Sequence, residues 1–219
     1  MKREIKSYVL RQGRTTPSQK RSLEQLLPIF GIAFAKEPLN PGDMFGRRAP
    51  IVLEIGSGMG ETTAEIAQQN PAIDFIAVEV HGPGVGSLLK KIDALELRNL
   101  RVIRHDAVEV LEKMIPDGTL AGIHLFFPDP WPKKRHHKRR LVQSAFAALA
   151  ARKLAPGGYV HAATDWPEYA VQIDEVFSAN SSFDKDVQQR KSRPVTKFER
   201  RGLGLGHAVR DLLFLRRQE

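Results

Sequence analysis

The 219-residue chain contains no cysteine. Disulfides, thiolate metal sites, iron–sulfur radical chemistry and cysteine nucleophiles are therefore excluded, and redox usage says nothing about the compartment. No apolar run approaches the ~20 residues that span a bilayer, so membrane insertion is excluded too. The N-terminus lacks the apolar core of a secretory signal, and a cytoplasmic protein is expected. Metal ligands are also scarce: His136 and His137 are adjacent, without matching acids or further histidines, and no metal is predicted. No linker or long repeat divides the chain. With 42% hydrophobic and 27% charged residues it reads as one globular domain, residues 26–219, preceded by a basic, flexible arm, residues 1–25.

Positive charge is abundant and uneven. The formal net charge is +9, yet three segments together exceed it: Met1 to Arg21 carries +6, Lys133 to Arg140 +6 and Arg190 to Arg217 +7, leaving −10 on the rest. An acidic body with three basic segments implies a face that meets a polyanion, since each Lys or Arg near a phosphate releases counterions. Nucleic acid is the expected partner, with no obligatory protein partner apparent. For the N-terminal segment a solvated tail is an equal alternative.

Apolar runs and helical stretches alternate. Strands are predicted at Ile51 to Ile55, Phe75 to Val80, Arg101 to His105, Ala121 to Phe127 and Tyr159 to Ala163. Helices are predicted at Glu61 to Gln69, Leu88 to Leu97, Val108 to Met114, Arg139 to Leu154 and Glu168 to Ser178, with Ala155 to Gly158 stopping the fourth. This alternation predicts an α/β fold, a mostly parallel sheet covered on both faces. Phe183 to Gln189 and Ala208 to Arg216 read as two strands with no helix between them, adding an antiparallel edge.

Three Gly-x-Gly-x-Gly patterns occur, and only Gly56-Gly58-Gly60 follows a strand and opens a helix, the setting in which backbone approaches a ligand. Gly82-Gly84-Gly86 is interrupted by Pro83 and reads as a helix start; Gly202-Gly204-Gly206 reads as a turn. The first pattern departs from the dinucleotide fingerprint, because Glu61 stands where the third glycine belongs. Glu54, just before the loop, repels phosphate and suits an ammonium; Glu79, roughly 20 residues on, suits ribose hydroxyls. Asp106 ends the third strand, as a ligand contact or as the cap of the next helix. Three acids at successive strand ends fit a cationic nucleoside, S-adenosylmethionine.

The most specific stretch is Pro128-Asp129-Pro130-Trp131-Pro132 followed by Lys133-Lys134-Arg135-His136-His137-Lys138-Arg139-Arg140. Flanking prolines hold Asp129 on a stiff loop at the ligand-binding edge. Trp131 reads as a stacking surface for a base beside a phosphate track; a buried Trp within a solvated charge run is the alternative.

On these residues, together with Val78-Glu79-Val80, His105-Asp106-Ala107, Thr164-Asp165-Trp166 and Thr196-Lys197-Phe198-Glu199, the chain resembles the bacterial tRNA (guanine-N7)-methyltransferase family over nearly its whole length. The resemblance implies a Rossmann-like class I methyltransferase fold, a seven-stranded sheet with one antiparallel C-terminal strand, and methyl transfer to N7 of a variable-loop guanine. It implies cofactor contacts from Glu54, Gly56, Gly58, Gly60, Glu79, Asp106 and Asp129, with Asp129 as the catalytic residue. Substrate contacts are implied for Lys133, Asp165, Thr196, Lys197, Phe198 and Glu199, and RNA contacts for Arg135, His136, His137, Lys138, Arg139 and Arg140. On sequence alone a helix cap is the lesser alternative for Asp165, whereas Thr196 and Glu199 read equally as ordinary loop polars. Rival readings are an amino-group methyltransferase, whose loop pairs its prolines after the acid, and a non-catalytic RNA-binding protein on the same fold.

Overall fold

The computed structural model describes residues 6–9, 14–186, 193–196, 199 and 208–218. Among them, β1 (Ile51–Ile55), β2 (Asp74–Val78), β3 (Leu100–Ile103), β4 (Leu120–Phe126), β5 (Leu154–Thr164), β6 (Phe183–Lys185) and β7 (Arg210–Arg216) form one sheet, ordered β3-β2-β1-β4-β5-β7-β6. The first five strands run parallel, and β7 is antiparallel to both neighbours. The predicted fold class is the observed one.

Burial on both faces explains why the parallel strands are continuous apolar runs rather than alternating ones. In β1, Val52 joins the core made with α4 (Glu61–Gln69) and α5 (Gly82–Ala94), through Ala64, Ile66, Leu88 and Leu89. Its alternate residues Leu53 and Ile55 join the core made with α6 (Ala107–Lys113), α7 (Ser144–Lys153) and α8 (Pro167–Ser178), through Leu111, Phe146 and Tyr169. The strand order reverses beside β1, which leaves a crevice at the carboxyl ends of β1 and β4.

Helix starts follow local chemistry. Asp106 caps α6, accepting from the backbone N–H of Val108 at 2.8 Å. Within the segment expected to be an arm, Pro17–Gln25 forms α1, begun by a reciprocal Thr16–Gln19 capping box with Pro17 in its first turn. It packs on α5 so closely that a Cβ on Gly86 would lie 2.7 Å from the Gln19 carbonyl oxygen. Short helices α2 (Leu27–Phe30) and α3 (Pro41–Phe45) complete the N-terminal part.

Three expectations are corrected. Helix α5 starts at Gly82, where the Gly82-Gly84-Gly86 pattern reads as a helix start and ahead of the predicted bound at Leu88, because Pro83 in the first turn costs no hydrogen bond there. The helix expected over 139–154 is divided: a 3-10 turn covers Lys134–Arg139, Arg140 and Gln143 are extended, and α7 begins at Ser144. Ala155 to Gly158 do not follow the helix as a stop; they lie within β5, as a bulge where the register steps from Leu120↔Leu154 to Gly122↔Tyr159. The expected strands 183–189 and 208–216 are observed as Phe183–Lys185 and Arg210–Arg216. Gly202, Gly204 and Gly206 lie outside the described residues.

Candidate active site

A cavity of about 280 Å³ opens at the carboxyl ends of the central strands, walled by Gly56, Gly58, Glu79, His81, Asp106 and Asp129. Its floor is the turn between β1 and α4. Gly56, Gly58 and Gly60 all have positive φ, at 77°, 56° and 78°. Gly60 is structural rather than ligand-facing: it does not line the cavity, and a Cβ there would lie 2.5 Å from the Leu88 side chain. Glu54, two residues before Gly56, is 4% exposed. Thr63 donates its hydroxyl to Glu54 Oε1 at 3.0 Å, whereas Oε2 has no partner among the described residues. Burial pushes this carboxyl up from its ordinary 4.5 to about 7, the Thr63 hydrogen bond opposing and the neighbouring Glu79 charge adding. The Ser57 hydroxyl, buried in the same turn, is also unpartnered among the described residues.

Glu79 shapes the loop as well as the wall. Its Oε2 accepts from Gly58 N–H at 2.8 Å, and its Oε1 from Val80 and His81 N–H at 2.7 and 2.9 Å. Asp106 takes the cap role weighed for it through Oδ1, and its Oδ2, on a residue that lines the cavity, accepts from Lys6 Nζ at 3.1 Å. Lys6 also reaches Glu109 at 2.8 Å, and that hydrogen bond, offset by burial and joined by Asp106, holds its ammonium well above the usual range. Residues 6–8 thus cross the cavity mouth, with Ser7 and Tyr8 in its lining.

The loop after β4 presents Asp129 between two strained residues. Phe127 and Trp131 have φ of 53° and 46°, a region that non-glycine residues rarely occupy and that costs of order 1–3 kcal/mol each. The structure around them over-determines the turn: Phe127 N–H donates to the Ala163 carbonyl at 2.7 Å, and Arg140 Nε donates to the Pro130 carbonyl at 2.7 Å. Asp129 faces the cavity; partial desolvation raises its carboxyl, and the charges of His81 and Arg139 oppose the rise.

Trp131 is committed within the fold, contrary to the expected free stacking surface. Arg139 covers its ring at 4.1 Å, His136 meets it edge-on at 5.9 Å, and its indole N–H donates to the Ser7 carbonyl at 3.0 Å. Arg139 also donates to the carbonyls of Lys6 and Tyr8. Arg140 is corrected from an RNA contact to a buried anchor, 3% exposed, bonded to Gln172 at 2.7 Å and to His137, and lying over Tyr169. Lys133, Lys134, Arg135 and Lys138 remain exposed, while His136 and His137 are half-buried.

Asp165 follows β5 at the same edge, half-buried and outside the cavity lining; the cap of α8 is Trp166, not Asp165. Thr196 and Glu199 are both buried, and Thr196 Oγ1 accepts from the Glu199 N–H at 3.0 Å. Lys197 and Phe198 lie outside the described residues. Sequence reasoning missed Ser57, the cavity-lining Ser7, Tyr8 and His81, and Arg193, which pairs with Glu199. Only Ser57 carried a signal, its place inside the glycine loop.

A Rossmann-like sheet in this strand order, a glycine turn after β1, an acid at the end of β2 and a cavity at the switch point together define a class I methyltransferase. Residues 48–212 match the family described as "Putative methyltransferase". The chain is 53% identical over 221 residues to a tRNA (guanine-N(7)-)-methyltransferase of Methylobacillus flagellatus, covering 99% of this chain and 93% of that one. It is 55% identical over 216 residues to one of Nitrosomonas europaea, covering 97% and 96%. The chain belongs to the bacterial tRNA (guanine-N(7)-)-methyltransferase family. Solved structures agree in fold: the 16S rRNA methyltransferase KamB, TM-score 0.58 at 14% identity over 80% of this chain and 92% of that one, and an rRNA methylase from Streptococcus thermophilus, TM-score 0.53 at 13% identity over 78% and 88%.

Proposed function

We propose that this enzyme transfers a methyl group from S-adenosylmethionine to N7 of a guanine in the variable loop of tRNA. The observation that carries the reading is the Pro128-Asp129-Pro130 turn, which holds one carboxylate at the mouth of the cavity between two residues of positive φ.

The residues present fit the cofactor. Glu54 Oε2 and Ser57 Oγ are buried and unpartnered among the described residues, the condition in which an acceptor and a hydroxyl gain most from the ammonium and carboxylate of an amino-acid moiety. Glu79 and Asp106 bring further carboxylate oxygens to the wall for ribose hydroxyls and an exocyclic amine. When bound, S-adenosylmethionine supplies an electrophilic sulfonium methyl.

Guanine N7 has an in-plane lone pair and no proton, so this chain need provide no general base for the nucleophile. What its residues supply is orientation and charge. Asp129, or Asp165 at the same sheet edge, accepts hydrogen bonds from guanine N1–H and the exocyclic amine. Those donors grow more acidic as the purine becomes cationic, so the bond strengthens towards the transition state, the requirement for catalysis rather than mere binding. The exposed Lys133, Lys134, Arg135 and Lys138 flank this loop and supply the phosphate track. A tRNA substrate is what supports reading the enzyme as cytoplasmic.

The test is incubation with methyl-labelled S-adenosylmethionine and bulk tRNA, followed by nucleoside analysis. The expected product is N7-methylguanosine, whose cationic imidazole ring opens in alkali and permits aniline cleavage. Label in N6-methyladenosine or another amino product, or no transfer despite binding of both ligands, overturns the assignment.

A further inference from the structure

We propose that Arg193 is a positioning residue that fixes Glu199, and with it Thr196, beside the root of the Asp129 loop; this rests on the reading that Thr196 and Glu199 contact substrate. The Arg193 side chain is 4% exposed and each of its nitrogens is used. Nε and one terminal nitrogen donate to the two oxygens of Asp211, at 2.7 and 3.2 Å. The other terminal nitrogen donates to Glu199 Oε2 at 2.5 Å. Burial alone would lower the guanidinium's pKa, but its hydrogen bonds to Asp211 and Glu199 hold it above the usual range.

The two carboxylates belong to different parts of the molecule. Asp211 lies on β7, paired with Ala163 of β5, and also meets the His161 ring nitrogen at 2.9 Å, so it is tied into the sheet. Glu199 belongs to the segment with Thr196, whose hydroxyl oxygen receives the Glu199 N–H. Among the described residues, Arg193 provides the side-chain bond by which Glu199 is joined to the sheet. The same guanidinium lies 5.5 Å from the ring centroids of both Phe126 and Phe127. Those rings line the cavity and lead into Pro128-Asp129, so one cation touches the sheet, the substrate segment and the root of the catalytic loop. Pro194 restricts the Arg193 backbone to extended conformations, which suits this bridging pose. A lysine ammonium is a point charge and lacks the planar fork that serves both carboxylates at once.

The experiment is steady-state kinetics on the full-length enzyme with tRNA varied, alongside cofactor affinity and thermal melting, for Arg193→Lys, Arg193→Gln, Glu199→Gln and the Arg193→Gln/Glu199→Gln pair. Each single variant is expected to lower kcat/KM for tRNA at least tenfold with cofactor Kd within twofold of wild type. The double variant should be no worse than Glu199→Gln alone. Arg193→Lys, which keeps the positive charge, should show the same loss for tRNA at an unchanged cofactor Kd, an effect that a merely structural role would not confine to tRNA. A silent Glu199→Gln overturns the substrate reading of the segment. An impaired Glu199→Gln beside a silent Arg193→Lys, or losses that multiply in the double variant, overturns the positioning role alone. If Arg193→Gln does not fold, the comparison of Arg193→Lys with Glu199→Gln decides.

Discussion

Glu54→Gln separates the electrostatics of the glycine turn from its shape. In wild type the buried carboxyl ionises near pH 7 when folded and near 4.5 when unfolded, so the folded state holds its proton more tightly. Stability from this group is therefore fully present below about pH 4.5 and is lost as pH rises through about 7. Between pH 5 and pH 8 the loss is on the order of 2–3 kcal/mol, since each tenfold change in proton affinity is worth ~1.4 kcal/mol. For a chain of this size that corresponds to roughly 5–10 °C in melting temperature. Glutamine has no such proton to lose. Its amide leaves donors unsatisfied beside Oε2, but that cost is the same at both pH values. Thermal melts of both proteins at pH 5 and pH 8 should thus show wild type losing ground to the variant by roughly 5–10 °C as pH rises. An ammonium seated at Oε2 favours the ionised form, so cofactor affinity should increase with pH through about 7 in wild type and not in the variant, which calorimetry reads directly. A melting gap that is the same at both pH values would refute the account of Glu54 as a buried, unpaired carboxyl.

Three further outcomes follow from the site. Asp129→Asn should lower turnover about a hundredfold, ~3 kcal/mol of transition-state stabilisation, with a smaller effect on cofactor affinity; single-turnover rates check it, and an unchanged rate removes Asp129 from the chemistry. Lys133→Ala with Arg135→Ala should flatten the salt dependence of tRNA binding by up to roughly two log-log units at unchanged melting temperature, whereas Arg140→Ala should cost about 2–3 kcal/mol of stability, since it strips the Pro130 carbonyl and Gln172 of a buried charged partner. Equal melting temperatures for these two variants would contradict the division of the basic run. Glu79→Ala should weaken cofactor binding by about 1.5–3 kcal/mol, because the wall loses an acceptor and the Gly58 amide loses the bond that sets the loop; isothermal titration reads it.

What the sequence made legible was local or periodic. Buried parallel strands announce themselves as apolar runs, and the turn from Ile55 to Gly60 was readable because a strand end, three glycines and a helix start follow each other without interruption. Direction was not legible. Lys133 to Arg140 counts as six positive charges, but the count cannot say that Arg140 points inwards beneath Pro130 or that Arg139 lies on Trp131. Nor were long-range pairings: Arg193 finds Asp211 18 positions away across a sheet edge, and Trp131 finds Ser7 124 positions away. Thr196 and Glu199 entered only through family resemblance, since on composition alone they read as ordinary loop polars.

The strand of contacts over the cavity also sets an order of events during synthesis. Residues 6–8 leave the ribosome well before the partners described for them: Asp106 and Glu109, then Trp131, then Arg139. Loop closure over such distances is entropically opposed until both ends exist. Residues 6–8 are therefore among the last of the described residues to dock, and the part of the cavity lining that Ser7 and Tyr8 supply is in place only after Arg139 has emerged.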